Sequence, residues 1–260
     1  MTLLHAQQVT VRTDQRTLVQ NISLDINAGE LVCVIGPNGA GKSTLLRALC
    51  GESRLAEGEV LFKNAHIESL SSRDRASQLA VLPQHNPLTF AFTGLELVAL
   101  SRNPHATGIV RDREICLEAM SALDVTHLAE RLYPTLSGGE QQRLQLARVM
   151  AQIWSAEEVG DRLLLLDEPA TSLDIAHQYE MMKAVRAFAK GGVAVIMTVH
   201  DLALASGYSD RILALKRGRS MAYGDAETVL TAENMQELYG YGVTVVPHPV
   251  TGKPLVLADE

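Results

Sequence analysis

Short runs of β-branched or aliphatic residues recur at 31–35, 79–82, 163–166, 193–199 and 212–215, with helix-length patterns between most of them. That alternation predicts an α/β fold. The runs LVCVI (31–35) and LLLL (163–166) are continuously apolar, as in central strands covered on both faces, and they are expected to lie side by side in one sheet. From 94 to 132, between Pro87 and Pro134, the periodicity turns helical, with Ile115, Met120 and Leu123 in the stretch from Arg111 to Leu123. This predicts a helical subdomain, about residues 86–155, inserted into the α/β core. Residues 240–260, rich in Gly, Pro and Val, read as a short extension too small for a domain of its own.

Composition adds limits. In 260 residues, 47% hydrophobic content is enough to bury a large core, and 20% charged residues without long like-charge blocks argue against disorder. A net charge of −7 offers no general attraction to a polyanion, so nucleic acid is excluded as an expected partner. Cys33, Cys50 and Cys116 are odd in number, widely spaced and without a Cys-x-x-Cys pair, which fits a reducing compartment. The opening MTLLHAQQ lacks a basic start and an apolar segment, so no secretory signal is expected. No apolar run approaches the roughly 18 to 20 residues that span a bilayer, and any membrane association should go through a partner.

Three segments carry chemistry. Residues 31–46, LVCVIGPNGAGKSTLL, place Gly36-Pro37-Asn38-Gly39-Ala40-Gly41-Lys42-Ser43-Thr44 between a strand and a helix, the context a phosphate-binding loop needs. Glycines let successive N–H groups turn inward on phosphate oxygens, and the helix start adds its positive dipole end. Lys42 then faces the β- and γ-phosphates, and the Ser43 hydroxyl faces Mg²⁺. A glycine-rich turn with a solvated lysine is the plainer alternative. In RLLLLDEPATSLD (162–174) four leucines deliver two carboxylates to a strand end, Asp167 beside Mg²⁺ and Glu168 toward an attacking water; a surface Asp-Glu turn competes with that reading.

The third segment, LSGGEQQR (136–143), resembles the signature of the ABC ATPases, although Ser137, Gly138 and Gly139 equally suit a plain helix start. The other motifs of that family match in order. Gln84 in LPQHNP resembles its Q-loop, Ser172-Leu173-Asp174 its D-loop, and His200 in TVHDL its switch histidine, so the likeness covers about residues 3–240. The resemblance implies a phosphate-loop ATPase core with a mostly parallel central sheet, an antiparallel β region near the amino terminus and the helical insert. It implies ATP and Mg²⁺ as ligands, with Glu168, His200 and Gln84 catalytic and with Ser43, Gln84 and Asp167 at the metal. It further implies a head-to-tail homodimer in which Ser137, Gly138, Gly139 and Asp174 of one copy close over ATP on the other. In isolation, Gln84 would pass for an exposed loop amide and His200 for a packing histidine.

One departure stands out. Most members of the family stack an aromatic residue of the first loop on adenine, whereas this chain has Thr13 at the aligned place. Weaker or less base-selective nucleotide binding is expected, unless Arg12 or Arg16 substitutes a guanidinium.

The chain lacks a fused membrane domain, a tandem ATPase unit or a long coiled-coil insertion, which leaves a separate importer subunit ahead of an exporter motor or a soluble ABC protein. Only 60 residues follow His200, too few for an appended regulatory domain. The stretch 85–105, the spacing from Ser137 to Asp167 and the tail VVPHPVTGKPLVLA (245–258) resemble the ATP-binding subunits of bacterial haem importers, with ferric siderophore and vitamin B12 importers as alternatives. That likeness implies two transmembrane permease subunits as partners, a periplasmic binding protein acting indirectly, and a peripheral place on the cytoplasmic face of the inner membrane. The eight histidines are scattered without paired spacing, so direct haem ligation is not expected.

Overall fold

The computed structural model describes residues 2–14, 16–84, 90–155 and 160–259. The first part of the chain forms β1 (Thr2–Arg12), β2 (Thr17–Asn27), β3 (Leu31–Ile35), α1 (Lys42–Leu49), β4 (Glu57–Phe62), β5 (Ala65–His66) and α2 (Ser72–Gln78). Next come β6 (Leu79–Leu82), α3 (Gly94–Ala99), α4 (Ile109–Ala122), α5 (Gly138–Gln152) and β7 (Arg162–Leu166). The remainder holds α6 (Ile175–Lys190), β8 (Val193–Thr198), α7 (Leu202–Tyr208), β9 (Arg211–Lys216), β10 (Arg219–Gly224), α8 (Ala226–Val229), α9 (Ala232–Tyr239), β11 (Val243–Pro247) and β12 (Pro254–Ala258).

A six-stranded sheet in the order β10-β9-β3-β8-β7-β6 is parallel from β9 to β6, with β10 antiparallel at one edge. A second sheet, β2-β1-β4-β5, is antiparallel and comes mostly from the amino-terminal residues. Because side chains alternate along a strand, each continuously apolar run serves two cores. Leu31, Cys33 and Ile35 join Leu164, Leu166, Val195 and Met197 against the helical layer of Met120, Leu144 and Leu146. Val32 and Val34 join Leu163, Leu165 and Ile196 against α1 and the antiparallel sheet, including Leu45, Leu49 and Ile22.

The expected adjacency of 31–35 and 163–166 is corrected by this order. β8 lies between them, with Val195 opposite Leu31 on one side and Leu164 on the other. β8 is itself buried along its whole length, so hydropathy does not rank the three strands as neighbours. The short crossover through α6 lays β8 directly beside β7, and β3 pairs with its far edge.

The stretch expected to be helical contains α3 and α4 and is followed by α5. Gln152, the last residue of α5, donates its amide to Ala76 O (2.7 Å) and Leu79 O (3.1 Å), tying this layer to the start of β6. The tail is more ordered than its composition indicated. β11 and β12 pair as a hairpin that seats Val243 and Val256 on the core, and Ser206 Oγ on α7 donates to Pro254 O at 2.7 Å. All three cysteines are free and buried; burial pushes the Cys33 thiol up to about 12, which makes it inert. Among the described residues no helix is long and apolar enough to cross a membrane.

Leu165 is fully buried in the centre of β7. Leu165→Ala is expected to cost about 2–5 kcal/mol, read as a lower urea midpoint with an unchanged slope. A midpoint equal to wild type would contradict the packing described.

Candidate functional site

β3 ends at Ile35 and α1 begins at Lys42, so the glycine-rich segment is the turn between a buried strand and a helix. Two of its glycines are sterically required. A Cβ on Gly36 would lie 2.2 Å from Leu215 O, and one on Gly41 2.9 Å from Leu18 O, both against backbone. Gly41 is the N-cap of α1 and supplies no side-chain cap, so the first N–H groups of the helix remain available to an anion. Lys42, only 5% exposed, donates to Gly36 O (2.8 Å) and Pro37 O (3.3 Å). Burial draws its ammonium below the ordinary lysine range, and nearby Glu168 and Asp167 push it partly back.

Asp167 and Glu168 follow directly from β7. Asp167 is buried and its N–H donates to Leu82 O at 2.8 Å, locking the pair to the end of β6. Thr198, the last residue of β8, joins the two acids: its hydroxyl donates to Asp167 Oδ1 (2.8 Å) and accepts from Glu168 N (2.7 Å). Glu168 has φ 51, a left-handed conformation unusual for a non-glycine residue, and the Thr198 contact helps hold it there. Sequence reasoning missed Thr198; the signal was a hydroxyl ending an otherwise apolar strand one register step from the acids.

Both carboxylate oxygens of Glu168 are engaged. Gln84 Nε2 donates to Oε2 at 2.7 Å and His200 Nε2 lies 2.6 Å from Oε1. Gln84 and His200 thus each engage one oxygen of the acid, from the loops after β6 and β8, and neither is a plain surface or packing residue.

These groups line a cavity of about 850 Å³. Its wall contains Asn38 to Thr44, Gln84, Glu168, Thr171 and His200, together with Arg16, Thr17, Leu18 and Arg217. The donor set suits a nucleotide and a hard cation: Lys42 and bare helix N–H groups for phosphate, and the Ser43 hydroxyl, the Gln84 amide oxygen and Asp167 as oxygen ligands for Mg²⁺. Thr13 does not line this cavity. Its N–H (2.9 Å) and hydroxyl (3.2 Å) both donate to Arg16 O, closing the turn on itself. Arg12 is drawn off to Glu57 at 2.9 Å.

Ser137, Gly138, Gly139 and Asp174 lie outside the cavity wall. Ser137 caps α5 in a reciprocal box: Glu140 N donates to Ser137 Oγ (3.3 Å) while Ser137 N donates to Glu140 Oε2 (2.7 Å), which keeps the Glu140 carboxyl below its usual range. Gly138 is open to space, so its lack of a side chain is unexplained by contacts within one chain. Asp174 caps α6 by accepting from His177 N at 2.9 Å. The start of α5 is built as its plain helix-start reading anticipated, the cap at Asp174 was not anticipated, and both lie outside the cavity wall of their own chain.

A family model described as ABC transporter matches residues 19–171. The hemin import ATP-binding protein of Gloeobacter violaceus is 48% identical over 257 residues, 98% of this chain and 94% of that protein. Its namesake in Pseudomonas aeruginosa is 44% identical over 256 residues, 98% of this chain and 100% of that protein. Among solved structures, an inward-facing ABC transporter of metal-chelate type superposes with a TM-score of 0.82 at 25% identity, covering 100% of this chain and 98% of that one. The dimeric structure of a bacterial ABC transporter cassette gives 0.75 at 26% identity, covering 85% and 98%.

Thr198→Val removes one donor and one acceptor from a fully buried position. A loss of about 1–3 kcal/mol in folding stability is expected, with Thr198→Ser close to wild type. Equal melting of the valine variant and wild type would show that the hydroxyl does not hold the two acids.

Proposed function

Since this chain belongs to the ABC transporter family as an ATP-binding subunit, we propose that it hydrolyses ATP to drive haem import through two membrane-spanning permease subunits. The observation that carries the enzymatic part is the convergence of Lys42, Glu168, Gln84 and His200 on one cavity, with Asp167 buried beside them and tied to Glu168 through Thr198. The cargo is supported by the hemin import proteins that align over 98% of the chain.

In this reading the triphosphate lies along the loop 36–44, and Lys42 exchanges the Gly36 and Pro37 carbonyls for phosphate oxygens. Ser43, Asp167 and Gln84 would hold Mg²⁺, which screens charge on the phosphates as the terminal bond breaks. Glu168 orients a water for attack on the γ-phosphorus and takes its proton, while ADP leaves with the electron pair of the broken bond. For that, its two oxygens must release Gln84 and His200. His200, freed, is placed to hydrogen-bond the γ-phosphate.

The second copy completes the site. Ser137, Gly138, Gly139 and Asp174 of one chain would close over the ATP of the other, which accounts for helix starts built away from their own cavity. ATP that contacts both copies only when they are closed biases closure, and hydrolysis removes the bias. Gln84 follows the end of β6 and precedes the helical layer, a route from the site to the permease through about residues 85–105; residues 85–89 lie outside the described part of the chain. Phe90 and Leu100 are exposed on that route. The subunit would sit peripherally on the cytoplasmic face of the inner membrane, with a periplasmic binding protein engaging it only through the permease.

Glu168→Gln is expected to lower ATP hydrolysis at least about a hundredfold while leaving ATP affinity within about threefold. In liposomes containing a haem permease, haem-loaded binding protein should stimulate the wild-type ATPase; ATPase indifferent to haem would return the cargo to siderophores or vitamin B12. Leu100→Asp should abolish haem uptake with ATP binding intact, and surviving uptake would remove this surface from the coupling route.

A further inference from the structure

The cavity wall has a part that the phosphate chemistry leaves unused. It is built by Arg16, Thr17 and Leu18 at the start of β2 and by Arg217 in the turn between β9 and β10. No aromatic ring lines the cavity among the described residues, and Thr13 and Arg12 are both directed elsewhere. A nucleoside held by its phosphates would still need a flat or apolar surface for its base, and guanidinium planes are the flat groups on offer.

Arg217 is fixed by its backbone. It adopts φ 48, a left-handed conformation that a non-glycine residue takes at a cost, in a turn pinned on both sides. Gly218 N donates to Ala40 O in the phosphate loop at 2.8 Å, and Gln20 N donates to Gly218 O at 2.7 Å. A Cβ on Gly218 would come within 2.5 Å of Leu18 O, so the turn sits hard against β2. The Arg217 side chain therefore leaves from a point tied to the phosphate loop itself. Neither Arg16 nor Arg217 has a side-chain hydrogen bond or ion pair to another described residue, in contrast to Arg211, Arg186 and Arg12.

Resting on the assignment of the cavity to ATP, we propose that Arg217, with Arg16, forms the base-facing wall and binds the purine by stacking a guanidinium on its ring. Such a wall reads the π-face and ignores the ring's edge, so adenine and guanine are held alike. Arg217 thereby supplies base affinity without base selectivity, from a turn about 200 residues away in sequence from Arg16.

The test is calorimetric titration of the full chain with ATP, GTP and inorganic tripolyphosphate, which carries the phosphates without a base. For wild type, ATP and GTP dissociation constants should agree within about threefold. Arg217→Lys, which keeps the charge and loses the plane, and Arg217→Ala should each weaken both nucleotides about five- to tenfold, with Arg217→Lys changing tripolyphosphate less than about twofold. Arg16→Ala should act in the same direction. Arg217→Lys binding ATP as wild type does, an equal loss for ATP and tripolyphosphate, or a wild-type preference for ATP above about thirtyfold would each overturn the stacking role. A wild type that binds tripolyphosphate and neither nucleotide would also overturn it, whereas failure to bind all three would overturn the cavity's assignment to ATP and this inference with it.

Discussion

β3, β8 and β7 run parallel with central residues buried on both faces, so the polar segments that follow them gather beyond the carboxyl ends, along a single edge of the sheet. The phosphate loop follows Ile35, the Asp167-Glu168 pair follows Leu166, and His200 follows Thr198 by two residues. Three segments far apart in sequence thus meet because the strands are parallel and each turns polar on leaving the same edge of the sheet. The register of β8 against both neighbours then decides which group faces which, and Thr198 is where that register becomes chemistry, bonded to both acids at once.

Glu168 stands at the centre of the resulting balance. Its left-handed backbone is held by the Thr198 hydroxyl, and its carboxylate by Gln84 and His200. A carboxylate with both oxygens occupied is poorly placed to activate water, so in this arrangement the acid rests. Each of its partners belongs to a different loop, one leading to the helical layer and one into α7, which the tail hairpin clamps through Ser206 and Pro254. In the proposed mechanism, release of Glu168 would require those loops to move, which would couple hydrolysis to motion.

Local motifs were legible in the sequence because their geometry is covalently local. Gly36 to Thr44 could be placed from strand, glycine and lysine alone, Ser137 from its helix-start pattern, and Asp174 from family likeness. The antiparallel sheet and the helical layer followed from periodicity and family likeness. What periodicity could not supply was lateral order, since LVCVI, LLLL and VAVIMT are equally apolar and only the α6 crossover places β8 between the other two. Thr198 and Arg217 were invisible for a related reason: their importance lies in what pairs or docks against them, across 30 residues for Thr198 and Glu168 and across a strand turn docked on the phosphate loop for Arg217. Thr13 was singled out by alignment, yet the turn it closes leaves it off the cavity wall. The tail hairpin escaped notice because its two strands are only five residues each, the first ending on Pro247 and the second beginning on Pro254, and are joined by a turn holding Pro249 and Gly252.

The central claim is that the Glu168–His200 contact marks the resting site and gives way when ATP arrives. A crystal structure of the wild-type chain with a non-hydrolysable ATP analogue and Mg²⁺ measures it directly. The account predicts the triphosphate against Lys42, and His200 Nε2 moved from its 2.6 Å contact with Glu168 Oε1 toward the terminal phosphate. A triphosphate bound in the cavity with that contact unbroken would contradict it.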